Sequence, residues 1–351
     1  MELSKETLLL LEDIERRIDP ETEEDLEKQW LDFTYGRFEG EIFCPNRKKL
    51  SVPSVEPPFI NINDAIKDYE LMLRGQLAGV SGALNGTHNT LCIRANYGTG
   101  IMTSLFGAEI FIMPYENNTL PTTRPFNDTE RIRRTVGQGL PDVMNGFGKN
   151  VFEFGEFCAE IFEKYPKIKK YVNVYHPDTQ GPLDICELLW GCDMFYALYD
   201  EPDLAHAMLS LITDAYIAVM DKWYDIFPKN TVLNHHWGGL CHQGAIVLRS
   251  DSAMNISPEI YREFSMPYDK KLLDYYGGGV VHFCGRGDHY IDIMSELDGL
   301  YGINMSQPEC NDMEKIYKNT VDKGIKILSF NHGRALADKD RPGGFNHCLS
   351  V

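Results

Sequence analysis

The chain contains the segment Val280-Val281-His282-Phe283-Cys284-Gly285-Arg286-Gly287, which has the pattern of a short buried strand followed by a glycine-rich turn. Side chains two residues apart on a strand point to the same side of a sheet. We therefore expect His282 and Cys284 to project together, with Phe283 on the opposite side. An imidazole beside a thiol at the end of a strand supplies two of the ligands that a zinc site needs.

Strand-like and helical segments alternate around this segment, over roughly residues 90 to 335. Such alternation predicts a parallel sheet. Residues 231–234, for example, are predicted to be a strand that runs into His235. Polar residues stand directly after several predicted strands, namely Asn96, His176, His235, Asp251, Cys284 and Asn331. That end of the sheet is the active-site rim of a (β/α)8 barrel, and an open doubly wound sheet binds ligands at the same end.

The first 80 residues have a different pattern. Residues 3–38 are helical in pattern with a break at Pro20, and residues 43–58 contain four prolines. The helical pattern includes an apolar stripe, which is typical of a helix that covers a core. We interpret residues 1–80 as a helical arm and an extended connection, packed on a catalytic domain over residues 81–351 within one structural unit.

The composition excludes some classes of function. The 351 residues are 43% hydrophobic, which is ample for a large core, and the formal net charge of −18 argues against nucleic-acid binding. The nine cysteines show no dense disulfide framework, so a reducing cytoplasm is expected. No secretory signal is apparent, and no apolar run approaches the roughly 20 residues of a membrane helix. Neither a glycine-rich dinucleotide fingerprint nor a P-loop sequence is present, so nucleotide binding has no support.

Three segments in order resemble the uroporphyrinogen decarboxylase superfamily. The first is Thr179-Gln180-Gly181-Pro182-Leu183-Asp184-Ile185-Cys186, followed by Asp200-Glu201-Pro202. The second is Ser257-Pro258-Glu259-Ile260-Tyr261-Arg262-Glu263-Phe264, followed by Pro267-Tyr268 and Lys270-Lys271. The third is His282-Phe283-Cys284-Gly285 with the later Asn304. The resemblance implies an α/β chain folded as a (β/α)8 TIM barrel with an N-terminal helical extension, a site at the C-terminal rim and a homodimeric assembly.

The superfamily implies two chemistries. One branch decarboxylates uroporphyrinogen without a cofactor, but its Arg-Gln-Ala-Gly-Arg signature is absent, and Arg94-Ala95-Asn96-Tyr97-Gly98 stands in the corresponding region. The other branch, which includes methylcobalamin:coenzyme M methyltransferases, binds zinc through His-x-Cys and a later cysteine. His282 and Cys284 match its first two ligands. Cys348 stands near the position of the third, and Cys310 is the competing candidate.

The resemblance therefore favours a zinc-dependent methyltransferase that moves a methyl group between a corrinoid protein and a thiol or similar small acceptor. Zinc with two thiolates and a neutral imidazole keeps an open position where a substrate thiol loses its proton. No Asp-x-His-x-x-Gly motif is present, so the corrinoid is expected from a partner protein. A cofactor-free decarboxylase and a non-catalytic metal- or ligand-binding barrel remain the alternatives.

Further candidate site residues follow from their positions at predicted strand ends. Asp251 is a candidate for orienting a metal-bound histidine or for binding a substrate amine. Structural alternatives stay open for these residues. His282 and Cys284 could be a metal-free pair, and Cys348 could be a tail cysteine without a ligand role. The histidines at the strand ends could be hydrogen-bonded structural residues. The candidate catalytic residues are Asp251, His236 and Tyr175, and the candidate substrate-binding residues are Arg94, Asn96, Tyr97, His176, His235 and Asn331.

Overall fold

The computed structural model describes residues 3–345 and the backbone of residues 348–350. In this part of the chain, α-helices and β-strands alternate through most of the length after residue 90. The helices are α1 (Lys5–Arg17), α2 (Pro20–Thr34), α3 (Ile62–Ala65), α4 (Tyr69–Leu84), α5 (Ile101–Leu105), α6 (Thr129–Gln138), α7 (Phe147–Phe162), α8 (Pro166–Tyr171), α9 (Pro182–Trp190), α10 (Asp193–Asp200), α11 (Pro202–Ile226), α12 (Pro258–Phe264), α13 (Met266–Tyr276), α14 (Ile291–Met294), α15 (Met313–Asn319) and α16 (His332–Asp338). The strands are β1 (Cys92–Ile93), β2 (Glu109–Phe111), β3 (Thr122–Arg124), β4 (Asn173–Val174), β5 (Asn234–His236), β6 (Leu240–His242), β7 (Ile246–Arg249), β8 (Gly279–Phe283), β9 (Leu300–Met305), β10 (Lys326–Phe330) and β11 (Cys348–Ser350).

The largest sheet has five parallel strands in the order β11-β10-β9-β8-β7. Strands β1 and β4 form a separate parallel pair, and β2–β3 and β5–β6 are antiparallel hairpins. The predicted α/β alternation and parallel pairing are confirmed. An eight-stranded barrel stays a prediction, because the described strands are divided among these separate sheets.

The chain after β4 passes very close to the end of β7. The Val247 N–H donates to Nε2 of His176 at 3.0 Å. A Cβ placed on Gly181 would lie 2.2 Å from the Arg249 carbonyl oxygen, so a side chain does not fit at this position. The loop that carries residues 176–181 is thereby fixed beside the carboxyl end of β7, where the predicted site residues lie.

The two N-terminal helices begin at capping residues and bury one face each. Ser4 caps α1 and Asp19 caps α2, in which Pro20 occupies the first turn. Apolar side chains of α2 and of the segment after it, including Trp30 and Phe43, pack in one cluster with Val280 and other strand residues. These contacts place α2 against the strands, while the division into an N-terminal arm and a catalytic domain, with a boundary near residue 80, stays a prediction.

Helix α11 is the longest helix in the described chain, with 25 residues. By length and apolar composition alone it could cross a membrane, whereas the sequence pattern predicts no such segment. Its buried face packs against α7, α9 and α13. A long core helix passes the same length and composition test, so this helix is weak evidence for a membrane span.

Candidate metal centre

Three neighbouring strands bring polar side chains into one row at their carboxyl ends. The register pairs Arg249 of β7 with His282 of β8, and His282 with Asn304 of β9. Asp251 lies two residues after Arg249, and Cys284 lies two residues after His282. Both side chains therefore extend the row beyond the strands. Parallel pairing thus gathers side chains that are far apart in the sequence.

Asp251, His282 and Cys284 form a cluster that could hold a metal ion. Their candidate ligand atoms all lie within 4.8 Å of one another. Nε2 of His282 is 3.4 Å from Sγ of Cys284 and 3.6 Å from Oδ1 of Asp251. The Asp251 side chain is 44% exposed and that of His282 is 15% exposed, so the cluster opens toward solvent on the Asp251 side.

The hydrogen bonds around Asn304 determine the tautomer of His282. The Asn304 amide nitrogen donates to the Leu328 carbonyl at 2.7 Å, so its oxygen faces Nδ1 of His282 at 2.6 Å. An amide oxygen only accepts, so Nδ1 carries the proton. Nε2 then presents its lone pair toward Cys284 and Asp251, as a metal ligand requires.

The turn that carries Cys284 is held by side chains from two other segments. Oδ1 of Asp251 accepts the Cys284 N–H at 2.7 Å, and Oε1 of Gln307 accepts the Gly285 N–H at 2.6 Å. Oδ1 of Asn311 accepts the Gly287 N–H at 2.7 Å. The backbone direction at the thiol is therefore set by Asp251, Gln307 and Asn311.

The thiol of Cys284 lies in an environment that favours its protonated form. Burial raises the pKa of Cys284 and the nearby Asp251 carboxylate adds to the increase, while a hydrogen bond with Ser306 acts to lower it. A bound cation would oppose both of the raising effects, since it stabilises the thiolate. The cluster therefore suits a cation better than it suits a free thiolate.

Asp184 supports the cluster by binding the backbone of Asp251 and Ser252. It lies in the first turn of α9, and its carboxylate accepts the N–H groups of Asp251 at 2.9 Å and Ser252 at 2.8 Å. Burial raises the pKa of Asp184 to about 7, and the Asp251 charge contributes to that increase. Sequence patterns gave no role to this residue, because its contacts join segments 67 and 68 positions apart.

A cavity of about 590 Å³ adjoins the cluster and shares Asp251 with it. The cavity lies between the loop before α9, the end of α9 and the segment after β7. Its lining residues are Thr99, Pro125, Asn127, Gln180, Asp184, Glu187, Leu188, Gly191, Cys192, Asp251 and Ser252. Its volume is within the range of small-molecule sites.

Tyr175, His176 and His236 lie together, but in a buried layer. The His236 ring is 4.9 Å from the Tyr175 ring and 4.5 Å from the His176 ring. His242 also approaches, with its Nε2 3.1 Å from Nδ1 of His236. Burial lowers the pKa of His176 to about 3 and that of His242 to about 4, and it lowers that of His236 as well. These side chains are neutral, and a catalytic role for Tyr175 and His236 stays a prediction.

Strand β5 differs from the predicted strand. The strand covers Asn234–His236 and pairs with β6 as an antiparallel hairpin, so it does not end at His235. Nδ1 of His235 instead lies 3.4 Å from Sγ of Cys241. His235 lines a second cavity of about 460 Å³, which is also lined by Asn173 at the start of β4.

Arg94 belongs to a charge network with the buried residues Asp178 and Arg249. Arg94 is 3.4 Å and Arg249 is 3.2 Å from the Asp178 carboxylate. Nε of Arg94 also donates to the Asn96 amide oxygen at 2.8 Å. Burial acts to raise the pKa of Asp178, but Arg249 and Arg94 together bring it below its usual range. Substrate binding by Arg94 and Asn96 stays a prediction.

Tyr97 and Asn331 make their described contacts outside the cluster, and the ligand roles of Cys348 and Cys310 stay predictions. Tyr97 is fully buried and packs against Phe147 with ring centroids 5.4 Å apart. Asn331 is exposed and caps α16 by accepting the Arg334 N–H at 2.9 Å. The backbone of Cys348 pairs with Ile327 in β10, but its side chain lies outside the described residues, and so does its predicted ligand role. Cys310 is exposed.

Trp237 is a candidate site residue that the sequence patterns did not indicate. Its ring lies 5.6 Å from the His282 ring, and the Arg249 guanidinium lies 5.0 Å from the indole centroid. Its backbone is left-handed, with a φ of 47°, which is rare for a bulky residue. Such strained positions cluster at functional sites.

Comparisons with known proteins give a likeness of fold. No protein-family model matches the chain, and no curated protein matches it. Among solved structures, it is similar to a methyltransferase from Methanosarcina mazei, with a TM-score of 0.62 and 17% sequence identity. The match covers 93% of this chain and 92% of that chain. The chain therefore shares its fold with that methyltransferase over nearly the whole length of both.

Proposed function

We propose that this protein is a zinc-dependent methyltransferase that moves a methyl group between a corrinoid and a small thiol or similar acceptor. The observation that carries the proposal is the approach of Asp251, His282 and Cys284 within 4.8 Å. Support comes from the fold, which is shared with a methyltransferase from Methanosarcina mazei. We further propose that the sheet closes into the (β/α)8 barrel of the uroporphyrinogen decarboxylase superfamily.

The donor atoms fit zinc. Imidazole nitrogen, thiolate sulfur and carboxylate oxygen are its usual protein ligands. The Nε2 lone pair of His282 is directed into the cluster by Asn304, and a metal-bound histidine typically has such a partner. Cys348 is proposed as the further sulfur ligand. With Cys348 as a ligand, Asp251 would either bind the metal directly or lie beside His282 without binding the metal.

The residues of the chain have separate tasks in the proposed site. Zinc, when bound, would stabilise a substrate thiol as its thiolate near neutral pH. His282 and Cys284 would bind the metal, and Asn304 holds the imidazole in the required tautomer. Asp251 accepts the Cys284 N–H and thereby orients the ligand turn, while Asp184 fixes the backbone of Asp251.

The corrinoid is proposed to come from a partner protein, because the sequence contains no Asp-x-His-x-x-Gly motif. The exposed edge of the cluster at Asp251 would then face that partner. A homodimer in the cytoplasm is the assembly and location that we propose with this function.

Metal analysis and a transfer assay test the proposal together. Protein prepared with ample zinc should hold the metal, and the Cys284→Ala variant should lose it. The zinc-loaded protein should transfer a methyl group from free methylcobalamin to at least one small thiol. The change in corrinoid absorbance measures this transfer. Absence of zinc from the wild-type protein, or equal zinc in Cys284→Ala, would refute the metal site.

A further inference from the structure

We propose that the cavity beside the metal cluster binds a protonated amino group, so that the small acceptor is an aminothiol. This inference rests on the proposed function only for the thiol. The cavity and the cluster share Asp251, which allows one small molecule to reach both. The chemistry of the cavity wall determines which kind of molecule that is.

The charges of the cavity wall are all negative. Three carboxyl groups line it, from Asp184, Glu187 and Asp251, and the raised pKa of Asp184, about 7, makes its charge partial near neutral pH. No lysine, arginine or histidine stands among the lining residues of the described chain. An anionic ligand would meet these carboxyl groups without a positive side chain in the wall to compensate them, whereas a cation would be attracted.

Gln180 adds an acceptor that has no partner among the described residues. The Gln180 amide nitrogen donates to the carboxylate oxygen Oδ1 of Asp178, which can only accept a hydrogen bond. The Gln180 amide oxygen is therefore the atom that has no partner in the described part of the chain. Gln180 is 6% exposed and lines the cavity, and its backbone has a left-handed φ of 60°. An amide oxygen in a cavity wall can accept a hydrogen bond, and a ligand N–H would supply the donor.

Several donors in the wall are already engaged. The N–H groups of Asp251 and Ser252 donate to Asp184 at 2.9 Å and 2.8 Å. The Thr99 hydroxyl is 3.3 Å from the Thr122 hydroxyl. The wall thus offers mostly acceptors, so a protonated amine, which has both N–H donors and a positive charge, matches it better than a neutral alcohol.

Four small thiols test the inference by calorimetry on zinc-loaded protein at pH 7. They are cysteamine, thiocholine, 2-mercaptoethanol and 3-mercaptopropionate. Cysteamine should bind about tenfold tighter than 2-mercaptoethanol, and 3-mercaptopropionate should bind most weakly. Thiocholine should bind more weakly than cysteamine, since its quaternary nitrogen has no N–H for Gln180. Equal or tighter binding of 3-mercaptopropionate would overturn the inference.

A pair of glutamate variants locates the effect. The Glu187→Gln variant should reduce the ratio of cysteamine affinity to 2-mercaptoethanol affinity by about fivefold, because one partly exposed charge is lost. Glu160→Gln is the matched control, because Glu160 is an exposed glutamate on α7 outside the cavity lining. An unchanged ratio in Glu187→Gln would place the selectivity elsewhere and overturn the site.

Ethylamine separates this inference from the proposed function. It has the amino group but no thiol, so it should bind metal-free protein and compete with cysteamine. If the protein holds no zinc but still binds ethylamine in a Glu187-dependent way, the proposed function fails and the amine site is supported. If zinc and 2-mercaptoethanol bind but cysteamine has no advantage, the amine site fails and the proposed function is unaffected.

Discussion

The Asn304 amide oxygen lies 2.6 Å from Nδ1 of His282 and thereby fixes which imidazole nitrogen faces Cys284 and Asp251. The two residues are paired across β8 and β9, and the Asn304 amide nitrogen is itself held by the Leu328 carbonyl of β10. The orientation of the proposed histidine ligand therefore depends on three adjacent strands. A substitution at Asn304 should therefore change the affinity for the metal, although Asn304 is not itself a proposed ligand.

We expect Asn304→Ala to weaken zinc binding by roughly 10- to 100-fold, the usual effect of removing such a partner of a histidine ligand. Competition with a chromophoric chelator measures the affinity. Asn319→Ala is the matched control, because the Asn319 amide also donates to a carbonyl, that of Lys315 at 3.0 Å. Equal zinc affinity in Asn304→Ala and the wild type would contradict the proposed tautomer.

The third protein ligand is predicted to be Cys348. X-ray absorption of the bound zinc should then show one sulfur fewer in Cys348→Ala than in the wild type, while Cys310→Ala should keep the wild-type spectrum. Cys310 is the natural control because it is exposed and belongs to the turn Pro308–Cys310. If Cys348→Ala keeps its zinc and Asp251→Asn loses it, Asp251 is the ligand instead.

Asn311 is predicted to hold the Cys284 turn in place. Its side chain accepts from the N–H groups of Gly287 and Asp288 at 2.7 Å and 3.0 Å, and it donates to the Gly285 carbonyl at 2.9 Å. Asn311→Ala leaves these groups without their partner, so the free energy of unfolding should fall by about 1–3 kcal/mol. Urea denaturation of metal-free protein measures this change.

The Asn311→Asp variant serves as the comparison. A carboxylate keeps the two acceptor bonds but loses the donor bonds, so its stability should lie between those of Asn311→Ala and the wild type. Zinc affinity should follow the same order, since the turn positions the Cys284 thiol. A stable Asn311→Ala protein with normal zinc affinity would show that the turn is held by other contacts.

Local rules were sufficient for part of the fold and part of the site. The alternation of strands and helices predicted the parallel α/β arrangement, because it depends on patterns a few residues long. The approach of His282 and Cys284 followed from the two-residue repeat of a strand. Asp251 could be placed near them because the carboxyl ends of parallel strands meet at one edge.

Other features depend on contacts that no short pattern contains. Asp184 meets Asp251 only because the loop before α9 packs on β7, with Gly181 against the Arg249 carbonyl. Tyr97 follows a strand as a rim residue would, but its ring packs into the core against Phe147. The sequence predicts His236 at an open strand end, but the structure packs its ring against those of Tyr175, His176 and His242.

Protonation of the buried histidines lowers stability in mild acid, and the raised pKa of Asp184, about 7, opposes this effect because the folded chain binds that proton first. Nε2 of His176 accepts the Val247 N–H at 3.0 Å, so this ring must be neutral, and burial lowers its pKa to about 3. Burial likewise lowers the pKa of His242 to about 4. Because the folded pKa values are below the unfolded value of about 6.5, the stabilisation is complete above that pH. It is lost as the pH falls from about 6.5 toward the folded values, since the unfolded chain binds protons first.

The expected magnitude can be measured by urea denaturation of metal-free protein at pH 7 and pH 5. Each of the two histidines should cost about 2 kcal/mol of unfolding free energy between pH 6.5 and 5, at 1.36 kcal/mol per pH unit. The His176→Gln variant removes one titrating group, so its stability should depend less steeply on pH. His206→Gln is the control, because the His206 side chain is 39% exposed. If His176→Gln keeps the full wild-type pH dependence, protonation of His176 does not limit stability in acid.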